Sequence, residues 1–168
     1  MTFVIALLER HHDRNDFDCG EMALNNFLQR LARQQADKDF NRTYVATERG
    51  EARIHGFYSV SSASIDFQNW PVALRLPRYP VPVLRIGRLA VDLRTQGKGI
   101  GLALLQHAMH LAESTAEKIG LYAVVVDAKN EAVASFYARY GFQRFPDQSL
   151  SLFLTTDVIR RALAASRS

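Results

Sequence analysis

At 168 residues the chain can bury one core but is too short for two ordinary domains, so a single domain over residues 1–168 is expected. Apolar residues make up 48% of it, and its longest apolar runs, such as 121–126, are far too short for a bilayer; disorder and a membrane location are set aside. Its net charge of +4 rests on 21 basic residues that are mostly arginine, and its one cysteine, Cys19, allows no internal disulfide, which points to a reducing, cytoplasmic setting.

In chain order, residues 3–8 read as a first strand, with no signal-peptide pattern at the start. Asp18 and Glu21 have capping-box spacing before a helix whose apolar stripe is Leu24, Phe27, Leu28 and Leu31. Residues 43–48 and 53–60 suit a hairpin around Gly50, and the proline-rich stretch 61–82 reads as loop with irregular strand. A strand over 84–91, a helix over 99–118 and a strand over 121–127 form one parallel unit. A short helix over 131–140, a strand over 150–156 and a last helix complete an α/β chain with a mixed sheet.

The chemistry concentrates between the strand ending at 91 and the following helix. Arg94-Thr95-Gln96-Gly97-Lys98-Gly99-Ile100-Gly101 alternates three glycines at a helix start. Without Cβ atoms, the backbone N–H groups can close on an anion, and the helix dipole favours it there. A plain connecting turn is the bland alternative. A P-loop needs Ser or Thr after the lysine, and Ile100 lies beyond Gly99 instead. A dinucleotide loop needs Gly-x-Gly-x-x-Gly, which the alternate spacing does not supply.

The segment Arg94-x-x-Gly97-x-Gly99 resembles the coenzyme A signature of the GCN5-related N-acetyltransferases (GNAT). A second segment, Asn130-Glu131-Ala132 through Phe136-Tyr137 to Gly141-Phe142, is similar to the later motif of that family. The resemblance implies a GNAT fold, a mixed central sheet with a splayed parallel strand pair flanked by helices, and acetyl-CoA as cofactor. It assigns the pyrophosphate to Gly97, Lys98, Gly99, Ile100 and Gly101, with Arg94 and Gln96 beside them. The backbone of Leu89, Ala90 and Val91 pairs with the pantetheine arm on this reading, and Asn130 and Phe136 contact the coenzyme. Tyr137 matches the family's general acid, whereas Tyr140 is out of frame and reads as packing.

Phe17-Asp18-Cys19-Gly20-Glu21-x-x-Leu24-x-x-Phe27-Leu28 and Gly87–Asp92 resemble the GNAT toxins of bacterial toxin–antitoxin modules. That resemblance implies acetylation of the α-amino group of aminoacyl-tRNA, a block of translation, a ribbon-helix-helix antitoxin and a homodimer.

Two independent features agree with an α-amine on a polyanion. Between 67 and 112 six basic residues face one acid, Asp92, and Arg75, Arg78, Arg85 and Arg88 are the candidates for tRNA contact. No dedicated general base stands out either. An α-amine, with a reference pKa of about 7.7–8.0, is far more often neutral at pH 7 than a lysine at about 10.4. Asp92 reads as solvated or paired with Arg94 rather than as a base. His11-His12 lacks further ligand spacing and reads as surface, and no metal site is expected. Trp70 and Tyr79 suit either base stacking or core filling. The rival functions are a small-molecule or protein N-acetyltransferase and a non-catalytic family member that binds coenzyme A or a partner.

Overall fold

The computed structural model describes residues 2–167. Seven strands form one mixed sheet in the order β1-β2-β3-β4-β5-β7-β6: β1 Phe3–Leu7, β2 Arg42–Glu48, β3 Gly56–Ile65, β4 Val81–Val91, β5 Ala123–Asp127, β6 Gln143–Phe145 and β7 Gln148–Thr155. The β1–β2 and β2–β3 pairs are antiparallel, β4 and β5 are parallel with Val83–Ile86 against Ala123–Val126, and β7 is antiparallel to both β5 and β6. The chain divides into two compact units, Met1–Ser61 with Gly87–Ala108, and Ser62–Ile86 with Met109–Ser168.

The first unit packs its half of the sheet under α1 (Met22–Asn26), a π-helical turn (Phe27–Leu31) and α2 (Ala32–Asp37). Of the expected stripe, Phe27 and Leu28 are buried, together with Ala32, against Phe17, Val45, Ile54, Phe57 and Ala90, while Leu24 and Leu31 are partly buried against the same cluster. Burying one such large apolar side chain contributes about 1.5–3 kcal/mol, so this stripe holds the helices in place. The π turn widens the ladder where Arg14 Nη1 reaches the Leu28 carbonyl at 3.5 Å. The capping box does not form. Glu21 makes no side-chain cap, and Asp18 instead accepts from the Gly20 N–H and from Asn25 Nδ2, each at 2.9 Å.

The second unit is built around Trp70, Val81, Val83, Ala123, Val125, Phe145 and Phe153. Trp70 meets the rings of Tyr122, Phe145 and Phe153 edge-on, so it fills the core, whereas Tyr79 is 72% exposed. The stretch 61–82 is more ordered than its composition suggests. β3 continues to Ile65, its small Ser and Ala residues alternating between half-buried and exposed. Two 3-10 turns follow, Phe67–Asn69 and Val72–Leu74, before β4 starts at Val81.

The remaining helices are α3 (Ile100–Ala116), α4 (Glu131–Arg139) and α5 (Thr156–Arg167). Strand β6 had no alternation long enough to read from sequence: it is three residues with a bulge at Arg144/Phe145. Among the described residues no helix is long and apolar enough to cross a membrane.

Candidate active-site elements

In the first unit, β4 ends at Val91 and the chain turns at Asp92, which has no exposed side-chain surface. Asp92 caps the 3-10 turn Leu93–Thr95 by accepting the Arg94 N–H at 2.9 Å. Arg94 then folds back: Nε donates to Oδ1 and Nη2 to Oδ2 of Asp92, and Nη1 donates to Asp16 Oδ2 at 3.0 Å. The Asp18 N–H also donates to Asp92 Oδ2 at 3.1 Å, and the Leu93 N–H donates to the Asp18 carbonyl at 2.8 Å. The corner before the glycine loop is thereby tied to residues 16–18, far away in sequence.

Burial works to raise the Asp92 pKa, but the bonds from Arg94 and from the Asp18 N–H outweigh it and hold the carboxyl at about 2. Asp92 is therefore paired and buried, not solvated. A carboxylate so weakly basic and so fully bonded is no general base. Arg94, likewise, spends its guanidinium on Asp92 and Asp16, so its part in the loop is to shape it. The missed partner, Asp18, had a readable signal in Asp18-x-Gly20, the spacing of an aspartate that bonds its own backbone two residues on.

The loop itself has the geometry an anion needs. Gly97 and Gly99 take φ of +82° and +79°, a left-handed conformation costly for other residues, and a Cβ on either would meet nothing within 4 Å. The protein leaves that side open at the N-terminus of α3, whose first turn carries no acidic residue. Its first N–H groups have no partner within the helix. Ile100, 2% exposed, pins the helix start to the core, while Gln96 and Lys98 are exposed and Gly101 lies in the first turn. The vacancy left by two missing side chains, bordered by helix-terminal donors, fits a pyrophosphate.

Nearby in the same unit, Ala90 is buried and Leu89 and Val91 are half-buried on β4. Gln96 Nε2 donates to the Val91 carbonyl at 3.2 Å, joining loop and strand end. Arg88 is turned inward: its guanidinium carbon stands 3.8 Å from the Phe27 ring centroid, and Nη1 donates to Ser59 Oγ at 3.4 Å.

The second unit holds the other candidates. Asn130 caps α4 by accepting the Val133 N–H at 2.9 Å, so its carboxamide oxygen has a structural duty. About two turns along α4, Phe136 is half-buried and Tyr137 is 4% exposed between the rings of Phe136 and Phe142. Burial pushes the Tyr137 hydroxyl up to about 12, so it keeps its proton throughout the neutral range. Tyr140 is 39% exposed and touches the Phe136 ring edge.

The tRNA candidates of the second unit differ in their surroundings. Arg75 and Arg78 are exposed on the segment before β4. Arg85 lines a polar pocket of about 280 Å³ with Ser64, Asp66, Asp127 and Ser151, and its Nε stands 3.6 Å from Asp127 Oδ2. His12, expected at the surface, is 8% exposed and accepts the Glu9 N–H at Nδ1, while His11 is exposed.

Over most of its length the chain is similar to known proteins. The acetyltransferase (GNAT) domain family matches residues 39–144. A tRNA-acetylating toxin of Mycobacterium tuberculosis (strain ATCC 25618 / H37Rv) is 34% identical over 144 residues, covering 84% of this chain and 85% of the relative. AtaT, solved with acetyl-methionyl-tRNAfMet, superposes with a TM-score of 0.89 at 28% identity, covering 96% of this chain and 99% of that one. A tyrosine-to-phenylalanine mutant of AtaT, bound to the C-terminus of the antitoxin AtaR and acetyl-CoA, gives a TM-score of 0.83 at 28% identity, covering 98% and 99%.

Proposed function

The chain belongs to the GNAT acetyltransferases, and from that membership we infer that it is an acetyl-CoA-dependent N-acetyltransferase that acetylates the α-amino group of aminoacyl-tRNA, a toxin that blocks translation. The observation that carries the cofactor half of this reading is the open, left-handed pair Gly97 and Gly99 at the start of α3. The acceptor half is supported by the likeness, over nearly the whole chain, to toxins named for tRNA acetylation.

Acetyl-CoA supplies the activated acetyl thioester. The backbone N–H groups of Gly97, Gly99, Ile100 and Gly101, with the Lys98 charge, hold its pyrophosphate. The Leu89–Val91 backbone would hold the pantetheine arm and could offer an N–H to the thioester oxygen. Asn130 keeps α4 in register and Phe136 borders the coenzyme. Tyr137 holds a proton at its hydroxyl for the departing thiolate; its raised pKa keeps that proton in place until it is needed. With Asp92 occupied, the amine enters already neutral, which suits an α-amino ester.

Residues 1–168 work as one GNAT domain, a reading supported by the family match running through segments of both units. The partners are charged tRNA, a second copy of the chain, and an antitoxin of the ribbon-helix-helix type; the AtaT complex with its antitoxin supports the last in kind. Charged tRNA as substrate puts the reaction in the cytoplasm.

The test is direct. The protein is incubated with labelled acetyl-CoA and total charged tRNA, and the labelled aminoacyl nucleoside is identified after nuclease digestion. Label on the amino acid's α-nitrogen is expected. Label on lysine peptides or small free amines, with none on charged tRNA, overturns the reading.

A further inference from the structure

The turn joining β2 to β3 in the first unit carries three metal-ligating side chains that the transfer chemistry does not use. One ligand atom each from Glu48, Glu51 and His55 lie within 4.8 Å of one another. The backbone makes this possible: the Glu51 N–H donates to the Glu48 carbonyl at 2.9 Å, so both carboxylates leave one tight turn. His55 is only 3% exposed, yet neither Nδ1 nor Nε2 has a hydrogen-bond partner. Buried polar atoms are nearly always paired, and an imidazole with both nitrogens unsatisfied beside two carboxylates calls for a cation.

We propose that Glu48, Glu51 and His55 bind a divalent transition-metal ion, zinc being the best match, in a structural site on the β2–β3 turn. The donor set selects the ion. One imidazole nitrogen with two carboxylate oxygens suits zinc, whereas magnesium and calcium prefer oxygen alone. The exposed side at Glu51 leaves a position for water. His55 is well placed to transmit the effect. Its carbonyl accepts the Asp92 N–H at 2.9 Å and Thr95 Oγ1 at 3.4 Å, so fixing the ring braces the corner that leads into the glycine loop. The site is one of stability, since none of the three side chains is assigned to acetyl transfer.

The test uses full-length protein stripped of metal with a chelator. Zinc is titrated in competition with a chromophoric chelator, and thermal midpoints are followed with and without zinc. One zinc per chain and a raised midpoint are expected, because a ligand that binds only the folded state stabilises it by mass action. Glu51→Gln and Glu48→Gln should each weaken zinc by about tenfold or more and remove the midpoint shift. Both should leave the metal-free midpoint near wild type, Glu51 being exposed. His11→Asn should bind zinc as wild type does, which separates this turn from the surface histidine. Unchanged zinc affinity in both glutamate variants, or no saturable binding at micromolar zinc, overturns the proposal.

Discussion

Arg94 grips Asp92 through two parallel hydrogen bonds, Nε to Oδ1 and Nη2 to Oδ2, each 2.9 Å, across one intervening residue. Such bidentate, charge-assisted pairs are short and directional, and this one turns the end of β4 into the glycine loop. Asp92 also receives the Asp18 N–H, so the same carboxylate fastens the segment before α1.

Asp92→Asn should destabilise the fold by about 1–3 kcal/mol, because the guanidinium loses its charged partner while the site stays buried. The effect depends on pH with a definite sign. The Asp92 carboxyl is depressed to about 2 in the folded state from an ordinary value near 3.8, so its contribution is complete above about pH 4. It fades as pH falls toward 2. Denaturant melts of wild type and variant at pH 6 and pH 3 check this: the gap should narrow in acid, and a constant gap would show that Asp92 is not the group involved.

Gly56→Ala should be costly despite its small size. A Cβ there would stand 2.9 Å from Ile100 Cγ2 and 3.1 Å from the Ala90 carbonyl oxygen. A backbone carbonyl in the sheet cannot yield, so the strain falls on Ile100 and the start of α3, at about 1–3 kcal/mol. Thermal unfolding reads the loss, and acetyl-CoA affinity should fall with it because the displaced helix N-terminus carries the anion site.

Gly99→Asp brings a side chain and a negative charge to the open side of the loop, at a φ of +79° that favours glycine. Calorimetry should show acetyl-CoA binding weakened by on the order of tenfold or more. Equal affinity for wild type and variant would move the pyrophosphate elsewhere.

Tyr137→Phe should retain the fold and acetyl-CoA affinity while lowering kcat by about 10²–10⁴. With its hydroxyl at about 12, the wild-type rate should show no alkaline fall from this group below pH 11. Tyr140→Phe should be near wild type, since that ring is 39% exposed and out of frame. The reverse pattern would reassign the acid.

Arg75→Ala with Arg78→Ala should raise the KM for charged tRNA and flatten its salt dependence, leaving acetyl-CoA affinity alone. Both side chains are exposed, unlike Arg88 against Phe27 or Arg85 beside Asp127, so the pair isolates the surface term. Salt-independent KM in wild type would remove phosphate contact from the account.

Local pattern determined much of this protein. Alternate glycines before an amphipathic run can only be a turn opening a helix, and the stripe Leu24, Phe27, Leu28 sets the buried face of the first helices, because both depend on neighbours a few residues apart. The Asn130-to-Phe142 frame singled out Tyr137, which is buried on α4, whereas Tyr140, read from the frame as packing, is 39% exposed just beyond that helix. Tertiary structure decided what the charged side chains do. Whether Arg88 meets a phosphate or the Phe27 ring depends on a helix about sixty residues away, and a buried corner decided between the two states open to Asp92, pairing it with Arg94 rather than leaving it solvated. Likewise, Glu48, Glu51 and His55 have no metal-ligand signature in one dimension. Only the turn between β2 and β3 brings two carboxylates onto a buried, unpartnered imidazole, and spacing along a chain does not encode burial.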